Sequence, residues 1–300
     1  MAFTAKDVQS LREKTGCGMM DCKKALVECD GNMDAAVDFL REKGLAQAQK
    51  KSGRIAAEGL VYALVKNNIG VVVEINSETD FVANSDGFKE LTAKIAEIIA
   101  DQNPCDVDAL LACTVDGVTV ENMVQNLFLI LRENMKIRRF ERYEGVVSTY
   151  VHGGGRIGVM VKFDADASVC ENQIFQDAAK DVAMQIAAAN PLYLDKESVP
   201  ADVLEKEKKI LTEQVINEGK PENIAAKIVM GKIGKYYKEN CLVEQPYIKD
   251  GDLTIAKFIE AKSKEIGSDV KIASFVRFEK GEGMQKREEN FADEVASIIK

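Results

Sequence analysis

Three hundred residues, 46% hydrophobic and 30% charged, describe a folded chain of two to three compact units and exclude a disordered or fibrous one. With 49 acidic against 40 basic residues the net charge is −9, a sign that repels phosphate backbones, so no direct nucleic-acid partner is expected. No apolar stretch approaches about 18 residues, and the first residues lack a basic segment followed by an apolar run, so membrane spanning and secretion are not expected either.

The first 44 residues read as three short helices punctuated by glycine. Thr4 is placed to cap a helix carrying Val8 and Leu11 that ends at Gly16, where glycine enters the left-handed region without a Cβ clash. Met19 to Cys29 form the second, stopped near Gly31. Asn32 caps the third, whose Met33, Ala36, Val37 and Leu40 recur at helical spacing, and Gly44 is expected to close it. The Gly18-Met19-Met20 loop and the Gly31-Asn32 turn resemble the ubiquitin-associated three-helix module. The polar Gln47 to Arg54 reads as a linker or a solvated helix extension.

The rest of the chain repeats itself. EGLVYALV and IGVVVEIN (Glu58 to Asn76) recur as EGVVSTYV and IGVMVKFD (Glu144 to Asp164), and MKIRRFERYEG (from Met135) recurs as VKIASFVRFEKG (from Val270). Each copy predicts two strands joined by Asn or Gly turns, then a helix, then a closing strand: Leu60–Val65, Gly70–Ile75 and Ile137–Arg142, against Val146–Val151, Gly158–Phe163 and Ile272–Phe278. This is an α+β pattern with antiparallel sheets and helices on one face. The offset between copies grows from 86 residues (Glu58 to Glu144) to 135 (Lys136 to Lys271), which marks an insertion in the second. Pro200 to Gln245 fits it, with Val203, Leu204, Ile210, Leu211 and Val215 facing Ile224, Ile228, Val229, Ile233 and Tyr236 across Gly219-Lys220-Pro221 as an antiparallel coiled-coil hairpin. Gln285 to Lys300 reads as a last amphipathic helix. The predicted division is 1–54, a three-helix module and linker; 55–142, a first repeat; 143–281, a second repeat with the hairpin 200–245; and 282–300, a C-terminal helical module.

A feature held by one copy only is a candidate for function, because the fold does without it in the other. Just past its second strand the first copy has Thr79-Asp80-Phe81, where the second offers Ala167-Ser168-Val169. Phe81 reads either as a buried anchor for the next helix or as an exposed wedge for a partner's pocket, and Asp80 as an N-cap or as part of that wedge. Elsewhere the chemistry is thin. Gly153 to Gly158 satisfies G-x-G-x-x-G behind His152, but a strand follows where a phosphate loop must open a helix, so these read as hairpin glycines. His152 is the only histidine and has no activated Ser or Cys in sequence reach. Seven cysteines without a C-x-x-C pair read as reduced thiols of a cytoplasmic protein, and no metal site is expected.

LREKTGCGMMDCKKAL (Leu11 to Leu26), ETDFVAN (Glu78 to Asn84), KPENIAAKIVMGKIGKYYKENCLVEQPYIKD (Lys220 to Asp250) and RFEKGEG (Arg277 to Gly283) resemble the translation elongation factor Ts family. The resemblance covers essentially the whole chain. It implies a non-enzymatic guanine-nucleotide exchange factor for the GTPase elongation factor Tu, without a cofactor or covalent chemistry of its own. It also implies that Asp80 and Phe81, flanked by Thr79 and Val82, are the wedge that releases nucleotide. Arg12, Gly18, Met19, Met20, Asp21 and Lys23 of the N-terminal module, together with His152, become further partner contacts. The hairpin and second repeat are where a homodimer would form. Departures are few: Ser77 stands where many members have Cys, and Asn84 to Gly87 is less basic than usual. The competing class is a ubiquitin-associated-like adaptor that binds a partner without exchange activity.

Overall fold

The computed structural model describes residues 3–218 and 221–285 of the chain, apart from the side chains at 222–224. The Gly219-Lys220 turn, the Ile224 side chain and residues 286–300 of the expected last helix lie outside the described residues.

Three helices open the chain: α1 (Ala5–Thr15), α2 (Met19–Glu28) and α3 (Met33–Lys51). Thr4 and Asp7 cap α1 reciprocally, and Asn32 caps α3 by accepting from the amides of Asp34 and Ala35. Gly44 does not close α3. The helix runs through it to Lys51, because Gly44 lies against α7 (Val120–Leu131), and a Cβ there would stand 1.7 Å from Leu129 Cδ2. Leu129 in turn joins Leu11, Leu26 and Leu40 in the core of the three helices. Gln47 to Lys51 is therefore the helix extension, not a linker. Gly44→Leu should raise local helix propensity yet destabilise the chain by about 2–3 kcal/mol, because a packed site is overfilled. Thermal unfolding checks the loss, and faster amide exchange confined to residues 5–51 checks its location.

The strands β1 (Glu58–Lys66), β2 (Ile69–Ser77) and β5 (Met135–Glu144) form one antiparallel sheet in the order β1-β2-β5. Between β2 and β5 come α4 (Asp80–Asn84), α5 (Asp86–Gln102), α6 (Val107–Ala112), the short ladder β3 (Thr114–Val115) with β4 (Val118–Thr119), and then α7. Val71, Val73 and Ile75 of β2 face Phe88, Ile95 and Ile99 of α5 and Phe128 of α7. A second sheet repeats the plan with β6 (Val146–His152), β7 (Ile157–Asp164) and β10 (Lys271–Glu279), in the order β10-β7-β6. A 3-10 turn (Ala167–Glu171) and α8 (Gln173–Ala189) follow β7. The molecule is α+β.

Matching turns place the insertion. Asn103 and Asn190, 87 residues apart, end α5 and α8 in the same left-handed conformation. Thr119 and Thr254, 135 apart, cap α7 and α11 (Ile255–Ile266). The extra residues between Asn190 and Thr254 carry α9 (Ala201–Asn217) and α10 (Glu222–Asn240), which pack on one another through Leu204, Leu211 and Val215 against Ala225, Ile228, Val229, Ile233 and Tyr237. Ile210, placed in that seam by its spacing, is instead half exposed. A short ladder, β8 (Pro246–Tyr247) with β9 (Asp250–Thr254), leads into α11.

The two sheets meet face to face through Val61, Val72, Met160 and Phe278. Two glycines at equivalent places allow the close approach. A Cβ on Gly70 would stand 2.6 Å from Met160 Sδ, and one on Gly158 would stand 2.3 Å from Val61 Cγ1. The Val61 amide also donates to the Gly155 carbonyl at 2.7 Å, tying β1 to the glycine turn of the second sheet. That turn carries Gly153, Gly154 and Gly155 at positive φ and leads into strand β7, as hairpin glycines do.

Candidate functional site

At Ser77 the chain leaves β2 and turns directly into the five residues of α4. Thr79 is the N-cap, extended at φ −128° and ψ 159°, and its Oγ1 accepts from the Val82 amide. Capping thus falls to Thr79, and Asp80 is free of that role at the first helical position. The short helix has two faces. Val82 and Ala83 are buried against the first sheet, whereas Asp80 and Phe81 point outward, with Phe81 85% exposed. An anchoring aromatic would be buried, so that reading of Phe81 fails. A large apolar side chain held in water beside a carboxylate is suited to entering a pocket on another molecule.

Remote groups fix this turn. Glu133, in the loop between α7 and β5, accepts from the Thr79 amide at 3.0 Å and from its hydroxyl at 2.7 Å. In the opposite direction, Glu78 accepts from the Asn134 amide at 2.7 Å and pairs with Arg54 at 3.3 Å. The Ser77 hydroxyl donates to the Thr79 carbonyl. Sequence reading passed over Glu78, Glu133 and Asn134, although comparing the copies offers a signal. Arg132 and Gly267 are the matching left-handed ends of α7 and α11, so Glu133 corresponds to Ser268.

The same comparison corrects a register. The offset is 88 at Ile69 and Ile157, which open β2 and β7, but 87 at the N-caps Thr79 and Asp166. Phe81 therefore matches Ser168, not Val169. Val169 matches Val82, and both are buried, at 3% and 7%. The strand β7 is one residue shorter than β2, and a single residue separates strand from N-cap in each copy.

Among the other sequence candidates, Arg12, Gly18, Met19, Met20 and Lys23 lie on the surface of the N-terminal helices, with Met20 the most exposed of its apolar residues. Asp21 is occupied within the chain. Its carboxylate pairs with Arg132 at 2.8 Å, and Arg132 also donates to Gln47. These bonds reach the residue next to Glu133 and so connect the three helices to the loop that holds Thr79.

His152 lies on the other sheet, exposed at the end of β6, with its Nδ1 3.0 Å from the Tyr150 hydroxyl. Together with Arg156, Arg277 and Glu279 it borders a cavity of about 480 Å³. The Arg277 hydrogen bond, with Arg156 adding to it against partial burial, holds the Glu279 carboxyl below the usual carboxylate range. No Ser or Cys borders the cavity, and the hydroxyl that meets His152 there is that of Tyr150. Among the described residues no group of three or more His, Cys, Asp or Glu is arranged to hold a metal, and no helix is long and apolar enough to cross a membrane.

Residues 78–282 match the family described as Elongation factor TS. The chain is 54% identical over 302 residues to Elongation factor Ts of Clostridium perfringens (strain 13 / Type A), with 99% of each chain covered. Identity is 51% over 305 residues to Elongation factor Ts of Clostridium kluyveri (strain NBRC 12016), again across 99% of each. It is 52% over 303 residues to Elongation factor Ts of Clostridium botulinum (strain Eklund 17B / Type B), across 99% of each.

Proposed function

The chain belongs to the elongation factor Ts family, a family of translation elongation factors in protein biosynthesis, and from that premise we propose that it releases GDP from the GTPase elongation factor Tu. The observation that carries this reading is Phe81, presented almost wholly to solvent beside Asp80 on a turn fixed from both sides. Its role is that of a wedge. The aromatic enters between elements of the GTPase, and the displacement reaches the magnesium ion and phosphate loop that hold the nucleotide. Magnesium requires near-octahedral geometry, so small shifts of its ligands weaken that hold disproportionately. No general acid, base or covalent intermediate is needed.

Binding energy comes from elsewhere on the surface. The exposed Arg12, Gly18, Met19, Met20 and Lys23, with Asp21 behind them, engage the nucleotide domain alongside the first repeat, and His152 reaches a second domain of the same partner. In this reading the working units are residues 1–54, 55–142, 143–281 with the hairpin 200–245, and 282–300. The exposed Ile216 and Met230 of the hairpin serve contacts beyond the exchange interface, among them a second copy of the chain. The work is done in the cytoplasm, on a protein partner rather than on nucleic acid or membrane.

Linkage sets the test. A factor that loosens GDP must itself be loosened by GDP through the same coupling. Release of fluorescent GDP from elongation factor Tu should accelerate with added chain, and excess GDP should weaken the complex by a matching factor, about 5- to 150-fold for an ordinary coupling. A complex that forms while GDP release stays at its intrinsic rate would overturn exchange in favour of the adaptor reading.

A further inference from the structure

A five-residue helix cannot hold its own orientation, because helix nucleation costs more than one turn returns. Phe81, 85% exposed, receives almost no packing from its neighbours either. The direction in which it points is therefore set by the backbone of the turn, which Val82 and Ala83 hold against the first sheet and which is fixed at its other end by the N-cap, Thr79. There Glu133 accepts both free donors of the N-cap residue, the amide at 3.0 Å and the hydroxyl at 2.7 Å. Two bonds to one ionised carboxylate fix both distance and rotation. Glu133 is itself held on a firm base: Arg132 before it is tied to Asp21 and Gln47, and Asn134 after it donates to Glu78 and to the carbonyls of Ser52 and Arg54.

The second copy shows that the fold does not require this device. There the N-cap is Asp166, which caps its own turn through the Ser168 amide at 2.9 Å and hydroxyl at 2.6 Å, and Ser268 occupies the place of Glu133. The remote carboxylate is present only in the copy that displays an aromatic.

We propose that Glu133 is a positioning residue for nucleotide exchange, holding Thr79 so that Phe81 is presented in its working orientation. This rests on the wedge reading above, and the experiment separates the two. Glu133→Ser, the residue the second copy carries, and Glu133→Gln are made in the full chain, alone and together with Phe81→Ala. Fluorescent GDP release from elongation factor Tu is measured at saturating chain, alongside affinity for the GDP-bound GTPase.

Glu133→Ser should lower the maximal release rate about tenfold, the scale of one hydrogen bond to a charged group, while affinity changes by less than about threefold. Glu133→Gln should recover most of the rate, since its amide can accept from the Thr79 amide and donate to the hydroxyl. In the Phe81→Ala background Glu133→Ser should change nothing further. An unaltered rate for Glu133→Ser, or an equal additional loss without Phe81, overturns the positioning role while leaving the wedge standing. If Phe81→Ala by itself releases GDP at the wild-type rate, the wedge reading falls and the positioning role falls with it.

Discussion

Phe81→Ala slows GDP release from elongation factor Tu by about 30- to 150-fold at saturating chain, the range expected when a well-buried aromatic hot spot of about 2–3 kcal/mol is lost from the exchange step alone. The asymmetry between rate and affinity is the informative part. In the free chain Phe81 stands in water, so its burial is gained only when the partner opens to admit it. Interactions made only in the distorted state accelerate a step without tightening the initial encounter. Affinity for the GDP-bound partner should therefore change by less than about threefold. Asp80→Ala, which removes a charge that water already screens, should cost less. Ser168→Ala, at the structural counterpart of Phe81, should leave exchange at the wild-type rate. Stopped-flow release of fluorescent GDP measures all three, and equal rates for Phe81→Ala and wild type would remove the aromatic from the mechanism.

Glu74→Ala lowers stability by about 3 kcal/mol, and the melting temperature by roughly 5 °C for a chain of this size. Glu74 is fully buried in the central strand of the first sheet. Its carboxylate takes Arg138 at 2.9 Å, Arg139 at 2.6 Å and the Gly281 amide at 2.8 Å. Consecutive side chains of a strand normally point to opposite faces, yet both arginines reach the same acid. A bulge explains it: β2 and β5 change register between Glu74 and Ile75, which leaves Arg138 outside the pairing and re-aims it. β10 carries the same bulge at Ala273, but there Ala273, Ser274 and Lys162 occupy the corresponding places, so the ion cluster belongs to the first copy alone. Losing the carboxylate strands the Gly281 amide and takes a carboxylate partner from each guanidinium, although Arg139 keeps Glu282 at 3.1 Å and Arg138 keeps the Glu282 carbonyl. Since those side chains keep 27% and 30% exposure, the cost falls at the lower end for a broken buried pair. A melt within about 1 °C of wild type would show that water replaces the acid at little cost.

The strands and the insertion were legible because repetition exposes them. Two copies of one pattern mark the strands, and the jump in their offset announced an insertion that apolar spacing placed at Pro200 to Gln245; the caps Asn190 and Thr254 bracket that stretch. Caps at Thr4 and Asn32 were legible because they are local chemistry. Gly44 was not. Its neighbours in sequence suggest a stop, and only Leu129, which fills the space a side chain would take, explains a glycine inside the helix. The helices α6, α7 and α11 escaped because the copies match well in their strands and poorly between them.

The turn around Phe81 was half legible. Its residue types announced a difference between the copies, but its exposure depends on Val82 and Ala83 turning inward, and a one-residue change in spacing hid the true counterpart. The bond from Glu133 to Thr79 spans 54 positions and joins two loops, for which no periodic signal exists.

Gly70 and Gly158 occupy matching positions, and each receives side chains from the opposite sheet: Val147 and Met160 over the one, Val61 and Val72 over the other. After the duplication that the repeats record, each half therefore became part of the other's selective environment. A methyl group gained at either glycine must be matched by a loss across the interface, so the two halves can no longer drift independently at these positions. They are inherited and constrained as one unit, and the divergence that gave one of them Phe81 and Glu74 was open only where the partner sheet does not reach or could accommodate the change.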